Sequence, residues 1–264
     1  MNQIREYLRL LSPRIRGRLL NFVKHRANPG LTNINLLRCF FSVICFIAFP
    51  PSGSATENDP GAWVVFSTAD AFQSDGQGSR WRYWLDAQAR YFDLGSGVNQ
   101  WLIRPAVGYE FSENVKGWVG YARFRARNAA GDIADENRYW QQIDWTAGRW
   151  NCGHSSMRIR LEQRSISLGD DIGIVLRYMA KYVKPIGDGG RTRLIVAIEP
   201  FVDLRDTDWG GESGLGQNRV LIGIGQRCSD RLSIEVGYMN QYIWRDHAKN
   251  QVNHLGILNF KVQL

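Results

Sequence analysis

The chain has 264 residues, a formal net charge of +8 and 44% hydrophobic residues, enough apolar material for one folded domain. The positive charge is local, because residues 1–55 contain 8 Lys and Arg and 1 Glu, which leaves 25 basic and 24 acidic residues in the remainder. A nearly neutral remainder excludes nucleic-acid binding through overall charge, so no nucleic-acid partner is predicted.

The N-terminal part has the three features of a secretory signal peptide. Its last basic residue is Arg38, an apolar run extends from Cys39 to Phe49, and small residues follow up to Ala55. The run is shorter than the roughly 20 residues of a transmembrane helix. We therefore predict an N-terminal extension and signal peptide over 1–55, cleavage near Ala55, and export from the cytoplasm.

Beyond the leader, apolar and polar residues alternate with the period of a β-strand. In 157–164, for example, three apolar residues alternate with charged ones. Most predicted strands exceed the roughly five or six residues usual in soluble proteins, and this length suits a tilted membrane crossing. The predicted strands span 81–93, 99–112, 115–128, 137–150, 155–167, 171–185, 192–205, 218–228, 232–245 and 252–264.

These strands predict an all-β fold, an antiparallel up-and-down transmembrane barrel of ten strands over 81–264. The segment 56–80 is treated as an N-terminal segment with one candidate strand at 63–72. Counting that strand gives eleven, whereas single-chain bacterial barrels have even numbers of strands. We therefore place 63–72 outside the wall and keep twelve strands as the alternative.

One face of nearly every strand mixes glycine with charges of both signs. A narrow, tapering interior suits this mixture of small and bulky residues better than an open surface does. A soluble barrel or sandwich with a solvated outer face is the competing interpretation. The residues predicted to form a charge ladder in the lumen are Arg104, Arg158, Arg160, Glu162, Arg164, Arg177, Glu199, Arg219 and Glu235.

Aromatic residues near strand ends are typical of the belts that barrels place at membrane interfaces, and outer-membrane lipid is the predicted partner. Short turns alternate with longer loops, so the short turns are predicted to face the periplasm. The last strand, 252–264, would then descend to the periplasm and engage the barrel-assembly machinery. The predicted interface aromatics are Trp81, Trp101, Trp118, Tyr139, Tyr242 and Trp244.

Two cysteines, Cys152 and Cys228, remain after removal of the leader. Both lie in predicted short turns on the same side of the barrel, but a complete hairpin separates the turns. That spacing exceeds the ~7 Å Cα separation that a disulfide tolerates, so two unpaired thiols are predicted.

The predicted lumen charges have two interpretations. Arginine binds carboxylates through two parallel hydrogen bonds, so a ladder of Arg and Glu can fill a narrow barrel. About ten strands lies just above the eight that side chains can fill and below the 16 of an open porin. We favour a filled interior with a structural or envelope-associated role, and the alternative is a small ion or solute channel.

The sequence contains no P-loop, dinucleotide fingerprint, nucleophile elbow or zinc-protease motif, and neither a cofactor nor a metal site is predicted. No catalytic residue is predicted. The less favoured alternative is a surface hydrolase using Asp206, Asp208, Asp246 and His247, a set similar to the site of the omptin proteases. Acids beside a histidine can activate water as a general base.

Six short motifs occur in order over roughly 63–264. Through them the chain resembles the uncharacterised bacterial outer-membrane proteins grouped as domain of unknown function 2490. The resemblance implies a Gram-negative outer-membrane barrel and no particular activity, and the cysteine pair departs from the family pattern. The motifs are Arg104-Pro105 with Gly108-Tyr109-Glu110-Phe111, Arg138-Tyr139-Trp140-Gln141-Gln142, Arg160-Leu161-Glu162-Gln163-Arg164, Gln217-Asn218-Arg219, Gly237-Tyr238-Met239-Asn240-Gln241-Tyr242 and Asn253-His254.

Overall fold

The computed structural model describes residues 56–72, 79–94, 97–150, 152–187, 189–245 and 248–263. The predicted leader, 1–55, lies outside these ranges, so its cleavage stays a prediction. Within them there is no helix long and apolar enough to cross a membrane. The strands are β1 (Thr56–Ala71), β2 (Trp81–Phe92), β3 (Asn99–Ser112), β4 (Val115–Arg127), β5 (Ile133–Trp150), β6 (Gly153–Ile166), β7 (Ile172–Ile186), β8 (Thr192–Asp203), β9 (Gly214–Arg227), β10 (Leu232–Ile243) and β11 (Asn250–Val262).

The period-two pattern of the sequence becomes the two faces of a closed barrel. In β3, Leu102 and Arg104 are buried in the interior, whereas Trp101 and Ile103 are exposed on the outside. Successive side chains of a pleated strand point to opposite faces, so each strand contributes alternate residues to the lumen. The predicted all-β barrel fold is therefore confirmed, and the ten predicted strands correspond to β2 through β11.

The described part of the chain forms eleven strands, so the prediction of ten, with 63–72 outside the wall, is wrong, and so is the alternative of twelve. β1 pairs antiparallel with β2 and parallel with β11, so the sheet is not antiparallel throughout. The physical reason is the alternation of β1 itself. Trp63 is 4% exposed and packs in the lumen against Leu255 and Ile257, whereas Val64 is exposed outside. Both edges of β1 find backbone partners, which satisfies its hydrogen-bonding groups.

The connections lie at two rims. Because β1 runs parallel to β11, the two strands begin at the same rim and end at the other. Cys152 and Cys228 are exposed and unpaired, and both lie at what we call the short-turn rim. The short-turn rim holds the described residues that follow β1, β3, β5, β7 and β9 and the end of β11, and the long-loop rim holds those that follow β2, β4, β6, β8 and β10 and the start of β1.

Glycines on the inner face make room for large rings inside the barrel. A Cβ atom at Gly120 would collide with the indole of Trp140, and one at Gly108 would collide with the indole of Trp118. Small and large residues on neighbouring strands thus interlock, as in other narrow barrels. The interior is consequently packed with side chains on the β3–β5 side.

Candidate functional site in the barrel interior

The carboxylate of Glu162, on β6, is the centre of a buried group of charges. Arg177 Nη1 donates to its Oε1 at 2.5 Å, and Arg164 Nη2 donates to its Oε2 at 2.6 Å. Arg160 Nη1 lies 3.4 Å from Oε1 and is 0% exposed, while Glu162 is 1% exposed. β6 supplies three of these residues because its inner face carries a charge at every second position. Charge-assisted pairs of this kind are the strong hydrogen bonds of a protein interior.

A second carboxylate, Glu199 on β8, extends the group across the lumen. Arg177 Nη2 and Arg158 Nη2 both donate to its Oε1, at 2.7 and 2.5 Å. Arg177 therefore bridges Glu162 and Glu199, and it lies on β7, the strand between theirs. Arg177 thus joins carboxylates from the strands on either side of it, although the residue directly opposite it on β6 is Arg160.

The group continues onto β5. Arg138 Nη2 donates to Glu136 Oε2 at 2.6 Å, and Arg164 Nε lies 3.7 Å from Glu136 Oε1. A separate buried pair, Arg104 with Asp86 at 3.0 Å, joins β3 to β2. We call the continuous group the ion-pair network, and its members are Glu136, Arg138, Arg158, Arg160, Glu162, Arg164, Arg177 and Glu199.

Aromatic rings cover the guanidinium groups of this network. The guanidinium carbon of Arg160 lies 4.0 Å from the ring centroid of Trp140, and that of Arg177 lies 4.3 Å from Phe201. Trp140 meets Trp84 edge to face, with the centroids 5.4 Å apart. The alternation marks Trp84 and Trp140 as members of the inner face. The sequence prediction named only charged residues for the lumen, so it did not include these two rings.

The opposite side of the lumen is apolar. Trp63, Phe92, Leu255 and Ile257 form a buried cluster, with Leu221 and other partly buried residues packed against it. These residues come from β1, β2, β9 and β11. We call this group the apolar cluster. The sequence prediction did not include the apolar cluster, because it placed 63–72 outside the wall.

Two arginines stand between the network and the apolar cluster. The guanidinium carbons of Arg90 and Arg219 lie 4.2 and 4.9 Å from the centroid of the same ring, that of Trp63. Arg90 donates to the side-chain oxygen of Gln88, and it has no carboxylate within 4.0 Å among the described residues. Arg219 reaches a carboxylate, that of Glu199, only at 4.0 Å. Positive charge is thus concentrated around one indole.

A cavity of about 610 Å³ extends from the short-turn rim to these arginines. It is lined by nine Lys and Arg residues and four Asp and Glu residues. A second cavity of about 560 Å³ lies at the long-loop rim, beside Asp203 and Trp209. The network and its aromatic rings lie between the two cavities. The lumen is therefore two vestibules separated by a packed centre.

All nine residues of the predicted charge ladder point inward, and most of them meet. Six of them belong to the network, Arg219 lies 4.0 Å from its Glu199, and Arg104 forms the separate pair with Asp86. Glu235 lies apart, near the short-turn rim, where Lys261 Nζ donates to it at 2.5 Å.

The predicted interface aromatics separate into three groups. Trp81, Trp101 and Tyr139 are exposed on the outer face. The outward position predicted for Trp118 is wrong, because its ring lies inside against Trp84, with centroids 5.8 Å apart. The even-numbered positions of β4 face inward, whereas the prediction placed Trp118 on the outer face. The remaining two, Tyr242 and Trp244, pack together with centroids 4.6 Å apart, and Tyr242 is buried.

The acids of the long-loop rim hold two loops together. Asp208 accepts hydrogen bonds from the backbone N–H groups of Asp170 and Asp171, at 2.8 and 3.2 Å. The bond from Asp170 holds the pKa of Asp208 below its usual value. The backbone N–H of Ser213 does the same for the pKa of Asp206. The other two residues of the hydrolase alternative, Asp246 and His247, lie outside the described residues.

The fold and site define a narrow, closed β-barrel with a charged and occluded centre. Residues 61–253 match the family described as protein of unknown function (DUF2490), and the chain belongs to that family. It is 30% identical to an uncharacterised protein of Methylorubrum extorquens over 227 residues, 86% of this chain and 97% of that protein. The NanC porin in a rhombohedral crystal form aligns with a TM-score of 0.45 and 7% identity, over 74% of this chain and 93% of that one.

Proposed function

We propose that this protein is an outer-membrane β-barrel with an interior closed at mid-height, serving a structural or envelope-associated role. The observation that carries the proposal is the burial of the lumen centre, where Glu162 and Arg160 are out of contact with water. The outer face supports a membrane location, because exposed apolar residues such as Ile103, Ile222 and Val236 lie on different strands around the wall.

Conductance tests the closure. Purified protein in a planar bilayer is expected to show small conductance or none, because the network and its rings fill the centre of the lumen. A Trp140→Ala variant removes the ring over Arg160 and should raise the conductance, whereas Tyr139→Ala, on the outer face, should not. A large, steady conductance in the unmodified protein contradicts the proposal.

Fractionation tests the location separately. After cleavage near Ala55 the protein should fractionate with outer membranes and migrate faster on gels when unheated than when boiled. Recovery as a soluble monomer in the absence of detergent would contradict a membrane role.

A narrow passage for anions is the second candidate function. Two vestibules approach the centre from opposite rims, and basic residues outnumber acidic ones in the larger. Any small conductance is therefore expected to favour chloride over potassium in reversal-potential measurements. Preference for potassium would remove this candidate.

The proposal includes no hydrolase activity. The carboxylates of Asp206 and Asp208 already accept hydrogen bonds from loop backbone groups, which favours a structural role for them. Cells incubated with a basic peptide are expected to leave it intact. Cleavage that is lost in Asp208→Ala and His247→Ala variants would instead establish a surface protease.

A further inference from the structure

We propose that the cavity at the short-turn end of the lumen is a binding site for a small organic anion. The ligand class is a carboxylate carried on an apolar or aromatic body. Arg90 and Arg219 would bind the carboxylate, and the apolar cluster beside Trp63 would contact the body of the ligand. This inference concerns the cavity on the short-turn side of the closed centre and does not depend on where the barrel resides.

The first argument is charge. The four acidic residues that line the cavity are already paired: Asp86 with Arg104 at 3.0 Å, Glu199 with Arg177 at 2.7 Å, Glu235 with Lys261 at 2.5 Å and the exposed Asp230 with Arg227 at 2.8 Å. Of the arginines inside the lumen, Arg90 and Arg219 have no carboxylate closer than 4.0 Å among the described residues. A buried charge without a counter-charge is costly, and an incoming anion would offset that cost.

The second argument is the supply of hydrogen-bond donors. Buried N–H groups of three cavity residues have no acceptor among the described residues: Trp63 Nε1, Arg104 Nε and Arg158 Nε. Buried donors in native proteins are nearly always paired. Residues that line the cavity therefore carry both positive charge and unused buried donors, and a carboxylate supplies an acceptor of the opposite charge.

The third argument is the mixture of surfaces. Leu221, Met239 and Ile257 line the same cavity as the arginines, next to the indole of Trp63. The volume of about 610 Å³ lies in the range of roughly 300–1,000 Å³ typical of small-molecule sites. Such sites combine apolar walls with a few polar groups that fix orientation. An inorganic anion would use only the arginines and leave the apolar wall unused.

Calorimetric titration of the complete folded barrel in detergent tests this site. The probes are benzoate, benzyl alcohol and benzylammonium, which share a ring and differ in charge, together with inorganic phosphate. Saturable binding is expected for benzoate alone. Equal binding of benzyl alcohol, or no binding of benzoate, overturns the proposal, and phosphate binding as tight as benzoate overturns the assignment of an organic ligand.

Variants locate the site. Arg90→Gln and Arg219→Gln should each weaken benzoate binding by at least about tenfold, the loss expected for a charge-assisted hydrogen bond. The matched control is Arg125→Gln, which removes an arginine paired with Asp135 on the outer face and should leave binding unchanged. Unchanged binding in both inner variants overturns the assignment.

The test stays decisive if a glutamine variant fails to fold. Arg219→Lys keeps the charge but loses the two-pronged donor geometry, so it should fold and still weaken benzoate binding. The comparison of benzoate with benzyl alcohol needs no variant. A conducting barrel that binds benzoate would contradict the proposed closure and leave this inference standing, which separates the two failures.

Discussion

The two sides of the lumen are built by different chemistry. On β5 through β8, eight charged side chains form the ion-pair network. Its centre, Glu162, accepts hydrogen bonds from both Arg164 and Arg177. On β1, β2, β9 and β11, the apolar cluster around Trp63 and Leu255 packs beside the larger cavity. All strands place alternate residues inside, and this shared pattern thus accommodates both an ion-paired side and an apolar side of the lumen.

The difference shows why the barrel needs both. Ion pairing between the inner faces of neighbouring strands fixes the register of the strands that carry it, because a one-residue slip would turn the charges outward. Apolar packing has no such directional demand, but it buries Trp63 and Leu255 in the lumen. We infer that the network specifies the arrangement of β5–β8 and that the cluster attaches β1 to the wall. The following substitutions test this division, from the largest expected effect to the smallest.

Glu162→Gln should be the most destabilising substitution. It leaves Arg160, Arg164 and Arg177 without their shared carboxylate, and removal of one partner from a buried ion pair costs about 3–5 kcal/mol. Urea unfolding of the detergent-solubilised barrel measures the loss. The control is Asp230→Asn, whose exposed pair with Arg227 should contribute less than about 0.5 kcal/mol. Equal effects of the two substitutions would show that the network does not stabilise the barrel.

Leu255→Ala tests the apolar side and should cost about 3 kcal/mol of unfolding free energy. Leu255 is 0% exposed and its removal leaves a cavity in the cluster. Leu258→Ala, three positions along β11 and on the outer face, is the control and should have a smaller effect. If the outer substitution cost more, lipid contact rather than lumen packing would dominate on this side.

Trp63→Phe should cost about 1 kcal/mol. The substitution retains a ring but weakens the attraction to Arg90 and Arg219, because the indole binds cations best. Trp81→Phe, on the outer face of β2, serves as control in the same urea titration. An absence of any effect at position 63 would argue that β1 does not insert into the wall in solution.

Acid should loosen the long-loop rim with only a small effect on the barrel. The folded-state pKa of Asp208 lies below its unfolded value of roughly 4, so its contribution is complete above that pH. The contribution is lost as the pH falls through the folded pKa. The protection of the amides in 204–213, measured as the intrinsic exchange rate at each pH divided by the observed rate, should therefore be lower at about pH 3 than at pH 7. Asp208→Asn should reduce that loss of protection, and a loss as large as that of the unmodified protein would assign it to another group.

Strand existence and facing were predictable from the sequence because they follow from a local period. The alternation through 157–164 identified the inner face that the structure shows for Arg160 and Glu162. The pairs that these side chains form depend on register between strands, which no single strand encodes. The position of β1 was missed for a similar reason, since its partners Leu255 and Ile257 lie at the far end of the chain. The prediction relied on the even number of strands in bacterial barrels rather than on the alternation of apolar and polar residues within 63–72.

Because β1 pairs parallel with β11, the first strand of the wall begins at one rim and the last strand ends at the other. In an even-numbered barrel both of these ends lie at the same rim. Thirteen paired positions, from Thr56 opposite Asn250 to Thr68 opposite Val262, separate the beginning of the wall from its end. At about 3.3 Å per residue, the ends of the wall are roughly 40 Å apart along the strands. A short linker therefore cannot join them. Circular permutation through such a linker, which suits a barrel with adjacent ends, is not possible in this barrel. Epitopes fused before β1 and after β11 would report on opposite mouths of the same molecule.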